Sequence, residues 1–175
     1  KDKDNWNPHC ESASVALQQA YVKNRFEVCD LLIQEGIMPL MENLPIVVRF
    51  CGMSLKSVSK LVLLLKEKGN WNPHCESASV ALLHAYKHAS YDVCDLLIQE
   101  GITPTMANLP IVVKNSYSWS WKSLKTVSKI IQHLKDKGNW DPQCESASVA
   151  LQLAYMYKHD IYNLLIQEGI SPITI

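Results

Sequence analysis

The chain has 175 residues, 47% of them apolar, and its 17 Lys plus Arg are matched by 17 Asp plus Glu. That balance leaves no net field to gather phosphate backbones or an anionic membrane surface, so neither nucleic acid nor membrane is an expected partner. No apolar run approaches the roughly 20 residues needed to cross a bilayer and no basic-then-apolar leader opens the chain, so a soluble, cytoplasmic protein is expected.

In chain order, the first feature is NWNPHCESASVAL, beginning at Asn5. Asn7 can cap a helix that has Pro8 at its first position, and a start at Ser12 is nearly as good. VALQQAY (Val15 to Tyr21) then places alanines one turn apart, where small side chains let a neighbouring helix approach closely. EVCDLLIQEG (Glu27 to Gly36) comes next, with Val28, Leu31 and Leu32 as one apolar face closed by a glycine at the position after the C-cap. A second pair of helices begins at LPIVV (Leu44), carries Leu61, Leu64 and Leu65, and closes at KEKG (Gly69). From Asn70 the whole pattern returns: NWNPHCESASVAL, VALLHAY (Val80 to Tyr86), then Val93, Leu96 and Leu97 before Gly101. LPIVV at Leu109 and KDKG ending at Gly138 come after it, and a last copy runs from NWDPQCESASVAL (Asn139) to Gly169. Trp6, Trp71 and Trp140 are expected to fold back over the end of the preceding helix.

The closing glycines fall 33, 32, 37 and 31 residues apart. A period in that range marks a stack of small units that share their hydrophobic surfaces. Five units of helix, turn, helix, glycine and loop are expected in two alternating flavours, approximately 7–39, 40–71, 72–104, 105–140 and 141–175, all in a single array over 1–175. KDKDNW at the start copies KDKGNW (Lys135 to Trp140), and neither end carries a polar capping unit. A segment of a longer array is therefore expected, with end-to-end self-association through uncapped terminal units.

The second-helix strings EVCDLLIQEG and DVCDLLIQEG (Asp92 to Gly101) resemble those of the ankyrin repeat family, and the resemblance covers essentially the whole chain. The first helices match more loosely, keeping the family's proline only at Pro45 and Pro110. Asn24-Arg25 and Ala89-Ser90 stand where the family has a glycine-histidine turn. The resemblance implies an all-α fold, an ankyrin-type helical-repeat solenoid. The loops are short for the family's β-hairpin fingers, so fingers should be stunted or absent and strands rare.

Chemistry is sparse. His9-Cys10 and His74-Cys75 offer imidazole and thiolate, but the third copy reads Gln143-Cys144, and two ligands per copy along a rod cannot close one tetrahedral site. His84 and His88 lie four apart without a third ligand at helical spacing. His133 stands where the other even-numbered unit has Leu64, and is expected half-buried and hydrogen-bonded. Cys10, Cys29, Cys51, Cys75, Cys94 and Cys144 recur singly in apolar patterns and are expected as buried thiols, not as a disulfide framework. No nucleophile is paired with an orienting base, and there is no phosphate loop or C-x-x-C. No metal, cofactor or enzymatic activity is expected.

Residues that break the repetition are the candidates for reading a partner. Val22, Lys23, Lys87, His88, Met156 and Tyr157 end the first helices of the odd units, positions that the resemblance places on the concave binding face. The loop tips 38–42 and 103–107 also differ. SYSWSW (Ser116 to Trp121) lengthens the fourth unit and presents Tyr117, Trp119 and Trp121, rigid aromatic side chains of the kind that anchor interfaces. The function expected is non-catalytic protein binding through the concave face and loop tips. The alternative is a structural or elastic rod that stacks on copies of itself.

Overall fold

A computed structural model of the protein describes residues 6–50, 54–116 and 121–172. Every regular element among the described residues is an α-helix: α1 (Glu11–Val22), α2 (Phe26–Gln34), α3 (Asn43–Phe50), α4 (Leu55–Glu67), α5 (Glu76–Lys87), α6 (Tyr91–Gln99), α7 (Asn108–Asn115), α8 (Trp121–Asp136), α9 (Glu145–Tyr157) and α10 (His159–Gln167). The fold is all-α, and the described loops after the closing glycines contain no strand. The chain divides into two compact units, Lys1–Ala85 and Tyr86–Ile175, with the boundary near the end of α5. In the first unit α1 packs on α2 and on α3, and α3 on α4. In the second, α7 packs on α8 and α9, and α10 on α8 and α9.

The small residues spaced along the first helices are the ones that are buried: Ala13, Leu17 and Ala20 in α1, and Ala147, Ala150, Leu151 and Ala154 in α9. Alanine on the facing side brings helix axes close enough for Leu17 or Leu151 to reach the neighbouring helix, and each such leucine contributes about 2 kcal/mol by leaving water. α3 and α7 answer with Leu44, Val47 and Val48, and with Leu109, Val112 and Val113, all buried. Pro45 and Pro110 lie in the first turn, where no intrahelical N–H is needed.

Each second helix ends alike. Gly36 takes φ 97°; its N–H donates to Ile33 O and the Ile37 N–H reaches back to Leu32 O, the double closure that a left-handed residue permits. The other four closing glycines do the same. The residue after the glycine depends on the flavour of the unit. Ile37, Ile102 and Ile170 are buried, plugging the helix end with an apolar side chain. Asn70 and Asn139 stand there in the even-numbered units, and their amides donate to Pro39 O at 3.0 Å and Pro104 O at 3.2 Å.

Three local expectations are corrected. The repeated helices start at Glu11, Glu76 and Glu145, so Asn7, Asn72 and Asp141 do not cap them, nor do Ser12, Ser77 and Ser146. The Asn7 and Asn72 side chains accept from the N–H two residues on, at His9 and His74, and Asp141 does the same for Gln143. With proline next in line this builds a turn ahead of the helix, and the glutamate then opens the helix, where its charge suits the dipole. Second, Trp6, with no described helix before it, donates its Nε1–H to Glu35 O at 3.1 Å, closing the second helix of its own unit, whereas Trp140 does meet the end of the preceding helix, the Lys135 ammonium of α8 lying 5.8 Å from its ring centroid. Pro8 lies close enough to Gly36 that a Cβ there would meet its ring at 3.4 Å. In this first copy the two repeated strings touch each other. Third, α2 does not bury Val28 and Leu31, which are 43% and 55% exposed; it turns Cys29 inward instead. Apolar residues lie on most sides of this helix, so the pattern alone does not fix which stripe faces the core.

Candidate binding surfaces

The expected partner-reading residues lie at the ends of first helices. Val22 closes α1 half-buried and Lys23 comes after it, exposed; Lys87 closes α5 and His88 is next, both exposed. Met156, next to last in α9, is 63% exposed. Tyr157 closes α9 and Trp121 opens α8, but their side chains, and all of Tyr117 and Trp119, lie outside the described residues. Within the second unit, Asn115 at the end of α7 donates from Nδ2 to Tyr86 O at 2.8 Å and to Lys87 O at 2.9 Å. This amide ties the Lys87-His88 turn to the C-terminal end of α7. The loop tips are less open than expected: Met41 and Pro39 are buried and Leu40 and Glu42 exposed, while in the other loop Pro104 is buried and Thr105 and Ala107 are exposed. The side chains of Asn43 and Asn108 hold these loops by accepting from Leu40 N–H and Thr105 N–H, each at 2.8 Å.

A pair of clefts between second helices is prominent in the structure and was not anticipated from the sequence. In the first unit the groove between α2 and α4 has a volume of about 400 Å³ and is lined by Tyr21, Phe26, Cys29, Leu61 and Leu64, with lysines at its mouth. Lys60 Nζ lies 2.5 Å from Asp30 Oδ1. In the second unit the groove between α6 and α8 is smaller, about 150 Å³, and includes Tyr86, Tyr91, Cys94 and His133. The ion pair is rebuilt there, Lys129 Nζ lying 2.5 Å from Asp95 Oδ2. The frame of lysine, hydroxyl, lysine and aspartate recurs as Lys56, Ser57, Lys60 and Asp30, and as Lys125, Thr126, Lys129 and Asp95. Phe26 becomes Tyr91 and Leu64 becomes His133. Those two replacements were visible in the sequence, but only the fold shows that they face one groove.

Burial sets the ionisation of the second cleft. It pushes the Cys94 thiol up from 9.0 to about 12, with the Asp95 carboxylate adding to the effect. Tyr86 is raised above the ordinary phenol value mainly by burial. Tyr91 is raised by burial and by Cys94, against an opposing hydrogen bond from Ser116. At neutral pH all three are protonated, and a protonated thiol is a poor nucleophile and metal ligand. His133 is half-buried.

Of the thiols, Cys29 and Cys94 are buried as expected, but Cys10, Cys75 and Cys144 are only half-buried at helix starts. No disulfide joins the five described cysteines, and Cys51 lies outside the described residues. Among the described residues no three of His, Cys, Asp and Glu converge to hold a metal ion, and no helix is long and apolar enough to cross a membrane. Comparison of the chain with protein-family models, with curated proteins and with solved structures returns no match.

Proposed function

We propose that the chain is a non-catalytic protein-binding array, an ankyrin-type solenoid with its fingers reduced to short loops, that holds a partner on the edge formed by the ends of its first helices. One observation carries the reading. The alanines shared among the first helices, Ala13, Ala78 and Ala147, are buried, whereas Lys23, Lys87, His88 and Met156, which differ between the copies, are exposed at the helix ends. The shared alanines serve packing, and the divergent helix-end side chains are left to be read. Binding then needs little ordering of the array, because packed helices already hold the contact residues in place. A cytoplasmic setting suits thiols that no disulfide joins.

The test is chemical crosslinking with mass spectrometry on the intact chain, beside the triple variant Lys23→Glu, Lys87→Glu and Met156→Ala. These positions are exposed, so unfolding by denaturant should be unchanged within about 0.5 kcal/mol. Crosslinks to a partner at this edge should be lost in the variant. Unchanged crosslinking by a fully folded variant would overturn the reading.

A second reading, a rod that stacks on its own copies, is favoured by the apolar side chains left open on the first unit: Trp6 is 51% exposed, beside the exposed Val15, Phe26, Val28 and Leu31. Light scattering over a concentration series separates the two: growth abolished by Val28→Lys and Leu31→Lys supports the rod, and a constant monomer mass excludes it.

A further inference from the structure

We infer that the cleft between α2 and α4 is a docking slot for a partner peptide that presents a large apolar side chain flanked by carboxylates. The inference rests on the protein-binding reading and adds a contact in the groove beside the end of α1, which Tyr21 helps to line.

Size comes first. A groove of about 400 Å³ falls in the range of sites that enclose ligand groups, and one of about 150 Å³ falls below it. The first cleft therefore has more room than the second for a phenylalanine- or leucine-sized side chain together with the backbone that carries it.

The lining comes next. Phe26 is 36% exposed and Leu64 is half-buried, so both still have apolar surface in contact with water. An entering ring would remove that surface from solvent, at about 25 cal/mol per Å². At the corresponding places the second cleft has the Tyr91 phenol and the His133 imidazole, which would lose hydration to an apolar guest.

The mouth then selects what surrounds the apolar group. Lys56 and Lys60 bring two positive charges against the single carboxylate of Asp30, and that excess attracts acidic neighbours. Asp30 also offers oxygens that can accept a peptide N–H, which a bare fatty acid lacks and whose carboxylate Asp30 would repel. A peptide answers both halves of the mouth, and a lipid tail answers one. The same charged frame recurs in the second unit while only the groove's size and polarity change, so the two slots differ in what they admit, not in how they attract it.

The probe is a fluorescein-labelled peptide, Asp-Glu-Phe-Asp-Glu, titrated into the intact chain and followed by anisotropy, with circular dichroism on every variant. Saturable binding is expected that weakens with salt and is lost when the phenylalanine is replaced by alanine or the acids by lysine. Lys56→Glu, a surface change that leaves the groove walls intact, should weaken it about tenfold. Leu64→His, which places the second cleft's imidazole in the first, should do the same, and His133→Leu should leave it unaltered. Equal binding of decanoate, binding indifferent to Lys56→Glu in a folded variant, or no binding of the acidic peptide each overturns the slot. None of these touches the crosslinking test at Lys23, Lys87 and Met156, so failure of the slot and failure of the protein-binding reading can be told apart.

Discussion

The second helices of the odd-numbered units are written almost identically, FEVCDLLIQ in α2 and YDVCDLLIQ in α6, yet they live differently. Val28 is 43% exposed and its counterpart Val93 is 1% exposed; Leu32 is half-buried and Leu97 fully buried. The cleft beside α2 is larger and more apolar, and the one beside α6 is smaller and more polar. Copying a string copies its helix, its closing glycine and its ion pair, because those depend on neighbours within the string or at a fixed offset from it. Burial is not copied, since it depends on what stands across from the helix.

The widest gap between the copies should open with one mutation made twice. Val93→Ala removes two methyl groups from a fully covered site and should cost about 2 kcal/mol, the lost transfer energy plus a cavity term. Val28→Ala removes the same groups from the surface and should cost under about 0.5 kcal/mol. Urea unfolding of the two variants measures both. Equal costs would mean that the two helices are equally covered.

Asn115 provides the next contrast. Its Nδ2 donates to two carbonyls at the end of α5, while the corresponding residue of the first unit, Phe50, is exposed with the Arg49 guanidinium 4.8 Å from its ring centroid. Asn115→Ala leaves two carbonyls without that donor and should cost about 1–2 kcal/mol; Phe50→Ala, at an exposed cation–π contact, should cost about 0.5–1 kcal/mol. Amide hydrogen exchange at Lys87 and His88 should accelerate only in the first variant. Protection there that survives Asn115→Ala would show that the amide does not hold this turn.

Alkali should act on the second cleft. Cys94, Tyr86 and Tyr91 all have folded-state values above their ordinary ones, so the folded chain favours their protonated forms. Stability is full below pH 9, where both states hold the protons, and falls as the pH rises toward about 12 because the unfolded chain gives up the Cys94 proton first. A single group contributes at most about 1.4 kcal/mol per pH unit. The slope, read from urea midpoints between pH 7 and 11, should shrink in Cys94→Ala. It should shrink less in Tyr91→Phe, which copies the first unit's ring into the second cleft.

Much of this was legible before the fold was known, wherever the determinant is local. The period, the paired helices and the left-handed closing glycines come from apolar spacing and from the one residue that tolerates positive φ. The exposure of Lys23, Lys87 and Met156 could be read from their failure to repeat. The clefts could not be read, because Asp30 meets Lys60 and Asp95 meets Lys129 across some thirty residues, and nothing local states that Phe26 and Leu64 share a groove. The helix starts were misplaced for a physical reason: Asn-Pro serves a cap and a free-standing turn equally well, and in all three copies the side chain of Asn7, Asn72 or Asp141 accepts from the N–H two residues on and builds the turn.

The smallest expected effect lies in the turns between the paired helices. Asn24 and Ala89 occupy equivalent positions with φ of 58° and 54°, the left-handed region that costs an ordinary L-residue roughly 1–2 kcal/mol and that asparagine tolerates best after glycine. Alanine has no side-chain polar group to offset that strain, so the second unit stores more of it than the first. In the fifth unit the two helices are separated by Lys158 alone, at φ −146°, and no left-handed residue is used. Ala89→Gly should therefore stabilise the chain by about 0.5–1 kcal/mol, and Asn24→Gly should change it by under about 0.5 kcal/mol, since glycine relieves the left-handed strain but loses more backbone entropy on folding. Both are read as shifts in urea midpoint at constant m-value. If Asn24→Gly gained as much as Ala89→Gly, the two turns would be equally strained and the asparagine would be doing nothing for its own.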